Sequence, residues 1–360
     1  MASPDGSAAR EKKRRGGPSE LALREERTAW LLLVPSLLVL LVIALYPLGQ
    51  VFVSSFTNAR FASDQPSQFV GLQNYTDLLS FTVQRVPEGE NPRLHIRTFN
   101  RDQPADERKT FTSVSTFRFF GNQYVIGATN APFIRAVIDT VLFTVVTVFF
   151  ETLLGLIIAL ALQRKFFGRN AMRTAMLVPW AIITVVSALI WEWMYASTRA
   201  GLFNSLMDRL GWIASDAPVA FLTETALQLP SIAAIDIWKT TPFMALLLLA
   251  GLTTIPKELY EAARVDGASP VRQFFSVTLP LLSPTLAVAL VFRTLDALRV
   301  FDLFQVVFGE RRYSMASFAQ DTLISSRDVG LSSASSVVIF VIIFVFAFAY
   351  IRILGVNTNE

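Results

Sequence analysis

Long apolar runs without charge constrain this chain more than any other feature of its sequence. Residues 28–59 contain no charged side chain, and neither do residues 174–191. A run of about 18 or more apolar residues is long enough to cross the hydrocarbon core of a bilayer as a helix. Charged residues make up 17% of the chain, against about 25% in an ordinary soluble domain. The sequence therefore predicts a membrane protein that crosses the bilayer several times.

Six segments qualify as spans, so the predicted fold is an all-α polytopic membrane protein with six transmembrane helices and a small extracytoplasmic insert. Besides the two runs above, the candidates lie between Arg135 and Arg164, around "IDIWKTTPFMALLLLAGLTTI" (235–255), from Leu279 past Arg293, and between Asp328 and Arg352. The basic, acid-free loop "RKFFGRNAMR" (164–173) is expected in the cytoplasm, together with both termini. The first apolar run is expected to be retained, because it is too long for a cleaved signal peptide.

Two rare residue types restrict the possible chemistry. The chain has no Cys and a single His, which excludes disulfide frameworks and Cys/His metal clusters. His95, in "NPRLHIRTF", is expected to be a solvated loop histidine, the alternative being a catalytic or proton-relay role. The basic residues flank apolar spans, so membrane orientation explains the net charge of +4 better than nucleic-acid binding does.

The polar stretch "EAARVDGASPVRQFFSVTLP" (261–280) lies between the fourth and fifth spans. Pro256 suits the first turn of a helix, and Gly267 offers a left-handed stop at its end. Ser269 can cap a second helix that begins at Pro270. The sequence therefore predicts two short helices joined at a glycine, at the cytoplasmic surface.

The first of these helices has the character of a docking element. Leu259, Ala262 and Ala263 share a face on which small side chains allow close approach. Glu261 and Asp266 supply negative charge at its edges. We expect the helix to fit a groove in a partner protein. The alternative, an amphipathic helix lying on lipid, would need a larger and more apolar face.

The same stretch resembles the signature of importer-type ABC transporter permeases. That signature reads E-A-A, three residues, G, nine residues, a β-branched apolar residue, one residue, then L-P. The positions here are Glu261-Ala262-Ala263, Gly267, Val277 and Leu279-Pro280, with Asp266 before the glycine. The resemblance implies a coupling helix that sits in a groove of an ATPase subunit and transmits nucleotide-driven closure to the membrane helices.

Further stretches resemble the carbohydrate-uptake branch of that family, in particular the F-type permease of maltose and trehalose importers. They are "FVGLQNYTDLL" (69–79), "GLFNSLMDRLG" (201–211), "WKTTPFMALLLLAGLTTIPKELYEAARVDGAS" (238–269) and "LVFRTLDALRVFDLFQVV" (290–307). The resemblance covers most of residues 29–355. The chain departs from it in an insert at about 80–130 and in "FGERRYSM", which replaces a Gly-rich stretch.

The predicted domain organisation has five parts. Residues 1–28 are a basic cytoplasmic tail, 29–56 the first transmembrane helix, 57–131 the extracytoplasmic insert, 132–355 the permease core with helices 2–6 and the coupling loop 255–280, and 356–360 a cytoplasmic tail. Alternating Thr, Val and Phe residues predict short strands in the insert. A partly disordered loop is the alternative.

Charged residues in the fifth span are the first candidates for a substrate path, because ionisable side chains in a membrane are costly. They are Arg293, Asp296, Arg299 and Asp302, spaced three apart with alternating sign. Neighbours at that spacing can pair, so this ladder is expected partly to neutralise itself. Arg293 follows Pro280 by about 20 Å of helix, which puts the ladder in the outer half of the membrane. It forms either a polar wall for sugar hydroxyls or an ion-paired contact that holds two permease subunits together.

Other ionisable and aromatic residues in the spans are weaker candidates. They are Trp238 and Lys239 in the fourth span, and Trp191, with Glu192 and Trp193, at the end of the third. The tryptophans could equally belong to an interfacial belt. Glu151 is expected to be a structural hydrogen-bonding partner. Asp139 lies nearer the outer end of its span and is expected to be solvated.

The resemblance implies the transmembrane subunit of an ATP-driven importer of maltose, trehalose or a related di- or oligosaccharide. The implied partners are two ATPase subunits that bind ATP and Mg, a second similar permease subunit, an extracytoplasmic sugar-binding protein and the lipid bilayer. The chain has no Walker A pattern, so it is expected not to be an enzyme and to bind no cofactor, metal or nucleic acid itself.

Three alternatives remain at this point. A permease for glycerol-3-phosphate or another solute would need a basic site, whereas the ladder holds as many acids as bases. An ion-driven secondary transporter would predict inverted repeats, and it leaves the stretch at 261–280 unexplained. A membrane-embedded enzyme would need a catalytic constellation, which one His and no Cys do not supply.

Overall fold

The computed structural model describes residues 20–104, 109–213 and 217–353. The chain divides near residue 53 into two units, which are treated separately. Most of the predicted N-terminal tail, residues 1–19, and the predicted tail at 356–360 lie outside the described residues. Within the described ranges the chain is mainly helical, with one small sheet.

The first unit consists of consecutive helical segments and is apolar over most of its length. Helix α1 (Glu20–Leu40) continues through a π-helical turn (Leu41–Leu45) into α2 (Tyr46–Ser54). Pro35 lies inside α1. The segment Arg24–Ser54 is long and apolar enough to cross a membrane, as the charge-free run predicts.

The insert of the second unit contains three antiparallel strands and two helices. In chain order these are α3 (Gln73–Leu79), β1 (Phe81–Val86), α4 (Pro92–Asp102), β2 (Thr112–Phe119) and β3 (Asn122–Ala128), with the strands in the order β1-β3-β2. Val86 and Val125 are buried with Ile96 of α4 on one face of the sheet. The prediction of short strands is confirmed.

His95 lies on a helix, so its expected place in a loop is wrong. Asn91 caps α4 by accepting a hydrogen bond from the Arg93 amide, and Pro92 occupies the first turn. These residues favour a helix start that the polar composition conceals. The Nδ1 atom of His95 lies 3.0 Å from a carboxylate oxygen of Glu90.

The remaining helices form the membrane part. In chain order they are α5 (Ala131–Gln163), α6 (Arg169–Ala181), α7 (Thr184–Met194), α8 (Leu202–Arg209), α9 (Thr225–Thr253), α10 (Lys257–Val265), α11 (Pro270–Gln273), α12 (Leu279–Leu298), α13 (Asp302–Phe308), α14 (Met315–Ile324) and α15 (Val329–Ile353). Among the described residues, five helical segments are long and apolar enough to cross a membrane, or six if the bent pair α6–α7 counts as one span. The predicted six-span fold is confirmed in this sense.

The third predicted span is broken rather than continuous. Helices α6 and α7 meet at an angle of 91° across residues 182–183. Pro179 lies in the last turn of α6, where it removes one backbone hydrogen bond. The apolar run predicts the span but not its bend.

Small residues set the close helix packing in the membrane part. A Cβ atom on Gly155 of α5 would lie 3.1 Å from the backbone nitrogen of Ala245 on α9. A Cβ atom on Gly251 of α9 would lie 2.6 Å from the hydroxyl of Thr285 on α12. Such close approach is the usual role of glycine between membrane helices. Helices α5, α9 and α12 are thereby held together.

Candidate functional site

A cavity of about 400 Å³ lies among α6, α7, α9, α12 and the segment that follows α12. Its charged lining residues are Asp236, Lys239, Arg293, Asp296, Arg299 and Asp302, and its aromatic ones are Trp180, Phe243, Phe292 and Phe301. The cavity therefore brings together Lys239 and all four residues of the predicted ladder. It is lined by three acids, three bases and several aromatic rings.

Arg293 is the centre of the charged wall. Its side chain is 3% exposed. The Nη2 atom donates to Oε1 of Glu151 over 2.9 Å, and Nη1 donates to Oδ2 of Asp296 over 3.0 Å. The guanidinium also pairs with the second oxygen of Glu151 and with Asp236. A buried charge needs such partners, and here one cation meets three carboxylates from α5, α9 and α12.

The predicted ladder exists only at its first step. Helix α12 ends at Leu298, and Arg299 donates from Nε to the carbonyl oxygen of Leu295 instead of pairing with Asp296. Asp302 begins α13. Among the ion pairs of the described residues, Arg293–Asp296 is the one that joins two ladder members. Self-neutralisation along one helix is therefore wrong for the later steps, because the helix does not continue through them.

Sequence reasoning missed that Glu151 and Asp236 are partners of Arg293. Glu151 was expected to accept hydrogen bonds, and its carboxylate does so in a fully buried position. Asp236, in the fourth predicted span, is not among the predicted site residues. The sequence does contain a signal for this pairing. Glu151 and Asp236 lie in apolar spans, where a buried carboxylate needs a cation, and Arg293 in the fifth span can supply it.

Asp139 belongs to a second buried ion pair, so its expected solvation is wrong. Arg312 donates from Nε and Nη2 to its two carboxylate oxygens, both over 2.7 Å. Arg312 also donates to the side chain of Gln228 over 3.0 Å and to the carbonyl oxygen of Thr225 over 3.3 Å. The arginine comes from "FGERRYSM", where the chain departs from the resembled family. This pair ties the start of α5 to the start of α9.

The two predicted tryptophans lie beside the cavity and do not line it. The Trp191 ring centre is 5.6 Å from that of Trp238 and 5.7 Å from that of Phe203. Trp191 and Phe203 pack against a buried aromatic and aliphatic cluster. The rings on the cavity wall are instead Trp180 and Phe243, which stack at 5.5 Å. Sequence reasoning did not single them out.

The stretch at 257–280, called the elbow below, has the predicted turn at Gly267 between two helices. Helix α10 ends before Gly267, which has the left-handed φ of +76°, and the Ala268 amide donates to the carbonyl of Ala263 over 2.9 Å. This is the glycine stop that the sequence predicts. The second helix is not separate, because α11 runs through a π-helical turn (Phe274–Thr278) directly into α12. The prediction that this second helix is a short, separate one is therefore wrong.

The outer face of α10 is exposed. Glu261, Ala262 and Asp266 are exposed and Ala263 is half-buried. Neither carboxylate has an ion-pair partner among the described residues. On the inner side, the hydroxyl groups of Tyr260 and Thr278 lie 3.1 Å apart and connect α10 to the root of α12. This contact connects α10 to the helix that carries Arg293.

Comparison with protein families gives one match over more than half of the chain. Residues 151–356 match the family described as binding-protein-dependent transport system inner membrane component. The matched residues include the elbow, the cavity lining and Arg293 with its three carboxylate partners.

Several curated proteins are similar over nearly the whole chain. The trehalose/maltose transport system permease protein MalF of Thermococcus litoralis is 36% identical over 342 residues, which cover 93% of this chain and 96% of the relative. The sulfoquinovosyl glycerol transport system permease protein SmoG of Agrobacterium fabrum is 31% identical, with coverage of 93% and 92%. The trehalose transport system permease protein SugA of Mycobacterium tuberculosis is 32% identical, with coverage of 92% and 90%.

Among solved structures, one chain of a bacterial alginate ABC transporter, crystallised with an alginate-bound periplasmic protein, has the same fold. The TM-score is 0.69 at 18% identity, and the match covers 94% of this chain and 97% of the other. Because the match covers 94% of this chain, the shared fold includes most of the insert at 57–131.

Proposed function

Because this chain belongs to the family of binding-protein-dependent transport system inner membrane components, we propose that it is the permease subunit of an ATP-driven importer of a neutral di- or oligosaccharide. Two of the relatives are named for trehalose or for trehalose and maltose. The observation that carries the proposal is the cavity in which stacked aromatic rings face paired charges. Sugars present apolar ring faces and hydroxyl groups, and both find partners on such a wall.

The charge balance of the cavity supports an uncharged substrate. Its lining contains three carboxylates and three cations. Asp296 is 59% exposed at the cavity and is held by Arg293, so it can accept hydrogen bonds from sugar hydroxyls. A phosphate ester such as glycerol-3-phosphate would require an excess of cations. Lys239 and Arg299 are the further polar groups in reach of a sugar.

The elbow is the proposed site of coupling. Glu261, Ala262 and Asp266 would dock in a groove of an ATPase subunit. The transporter would contain two such subunits, which bind ATP and Mg. A second, similar permease would complete the path, and an extracytoplasmic binding protein would deliver the sugar. Closure of the ATPase subunits would move α10 and, through Tyr260 and Thr278, the root of α12. Both termini would lie in the cytoplasm.

The test is reconstitution of the chain with the second permease, the ATPase and the binding protein. We expect ATP hydrolysis to be stimulated by maltose or trehalose together with the binding protein, and not by glycerol-3-phosphate. Equal stimulation by glycerol-3-phosphate would overturn the assignment of a neutral sugar. Failure of the permease to co-purify with any ATPase would overturn the coupling role of the elbow.

A further inference from the structure

The short connection between α5 and α6 lies at the membrane surface, whatever the orientation of the chain. Helix α5 is long and apolar enough to span the bilayer, and α6 begins the bent pair that makes up the next span. Five residues, 164–168, separate the two helices. Helix α5 has no charged residue from Thr152 to Leu162, so this end of the helix and the five residues after it lie at the edge of the hydrocarbon core.

This connection concentrates unbalanced positive charge. The stretch at 164–173 contains Arg164, Lys165, Arg169 and Arg173 and no acidic residue. None of these four has an ion-pair partner among the described residues. Arg173 donates to the carbonyl oxygen of Leu162 over 3.4 Å and so holds the end of α5. The other three cations are available to an anion from outside the chain.

Two phenylalanines stand beside these cations with their rings unprotected. Phe167 is fully exposed and Phe166 is half-exposed. They border a surface hollow of about 400 Å³ whose lining also includes Lys165 and Arg169. Exposed aromatic rings next to cations are typical of the membrane interface, where rings lie at the level of the headgroups and cations bind phosphates.

We propose that residues 164–171 bind the headgroup of an anionic phospholipid. Lys165 and Arg169 contact the phosphate in the hollow, and Phe167 inserts among the first carbons of the acyl chains. The positive charge of the stretch favours an anion. The exposed ring of Phe167 favours a phospholipid over free phosphate, because only the lipid has acyl chains for the ring to contact. Gly168, with φ of +85°, makes the turn that brings both cations to one hollow. The site is separate from the sugar cavity and does not depend on the substrate.

The experiment measures phosphatidylglycerol binding to the assembled transporter. Delipidated complex in phosphatidylcholine nanodiscs is titrated with phosphatidylglycerol and followed by native mass spectrometry. The variant Lys165→Gln/Arg169→Gln is compared with Arg85→Gln/Arg118→Gln, which removes two exposed charges from the sheet of the insert. We expect the apparent dissociation constant to rise about 25-fold in the first variant, or about five-fold per charge, and to stay unchanged in the second.

Additional arms separate charge from structure and lipid from free phosphate. Lys165→Arg/Arg169→Lys keeps both charges and should bind as the parent does. Phe167→Ala should weaken phosphatidylglycerol binding several-fold, and millimolar inorganic phosphate should not displace the lipid. An unchanged affinity in Lys165→Gln/Arg169→Gln, or an equal loss in the control variant, would overturn the site. Displacement by phosphate, or full lipid affinity in Phe167→Ala, would overturn its assignment to a lipid.

Discussion

Two buried arginines hold the membrane part together, and they do so in different ways. Arg312 meets one carboxylate, Asp139, and spends its remaining donor on Gln228 and a backbone carbonyl. Arg293 meets three carboxylates, and one of them, Asp296, is 59% exposed at the cavity. In the first centre each buried charge has one buried partner, and the half-exposed Arg135 lies 4.0 Å from Asp139 as a further cation. The second centre has more carboxylates than cations and an open side.

The difference separates a structural ion pair from one that also faces a substrate path. A balanced, closed pair has no spare acceptor, and apolar residues of similar size can often replace it without loss. The Arg293 cluster cannot be replaced as one pair, because exchange of Arg293 and a single carboxylate for apolar residues leaves two further carboxylates without the guanidinium. The excess acceptor at Asp296 has a use only if something in the cavity donates to it. We therefore propose that Arg312 stabilises the fold and that the Arg293 cluster contacts the sugar as well as stabilising the fold.

The largest effect is expected for Arg293→Met. Glu151 and Asp236 would lose the buried guanidinium that compensates them, and breaking a buried pair in this way costs about 3–5 kcal/mol of folding free energy. Thermal unfolding of the detergent-solubilised transporter should show a markedly lower midpoint and a low yield of assembled complex. Arg299→Met is the matched control, because Arg299 is exposed and has no carboxylate partner among the described residues. Equal stability of both variants would contradict the central role of Arg293.

Arg312→Met is expected to lower thermal stability less than Arg293→Met does, and a second substitution should restore more of the loss. Asp139 keeps only the half-exposed Arg135, whose Nε lies 4.0 Å from its Oδ2, so we expect a loss near 3 kcal/mol, the low end of the range for a broken buried pair. Adding Asp139→Leu should restore most of the thermal stability, since the whole pair is then replaced. Adding Glu151→Leu to Arg293→Met should restore much less, because Asp236 still lacks its guanidinium partner. If both double variants recover to the same degree, the contrast between a balanced and an unbalanced centre is wrong.

The sequence predicts local features of this fold well and contacts between residues far apart in the chain poorly. Apolar runs predict the spans, and the glycine stop at Gly267 is a local signal that the structure reproduces. The end of α12 at Leu298 has no such signal, since neither Gly nor Pro follows it closely. The pairing of Arg293 with Glu151 joins residues that are 142 positions apart. Periodicity within one helix cannot reveal which residue of another helix lies opposite.

Asp296→Asn should affect substrate binding more than stability. The side chain keeps its size and stays exposed at the cavity, so the thermal midpoint should change little. Loss of a charged acceptor for a sugar hydroxyl corresponds to about 1.5–3 kcal/mol, or about a ten-fold or greater rise in the sugar concentration for half-maximal ATPase stimulation. Asp64→Asn, at an exposed position in the insert, is the control. An unchanged sugar dependence would remove Asp296 from the substrate path.

The smallest effect on folding is expected for Glu261→Lys, which tests whether an exposed, unpaired charge behaves unlike the two buried centres. Nothing in the described chain pairs with Glu261, so reversal of its charge should leave the thermal midpoint of the permease within the error of the measurement. Its partner in the proposal is an ATPase groove, so co-purification of that subunit should fall sharply. Glu258→Lys changes the charge of the same helix outside the E-A-A motif and should retain the ATPase. Loss of the ATPase in both variants would indicate a general electrostatic effect on α10, and retention in both would place the coupling contact elsewhere.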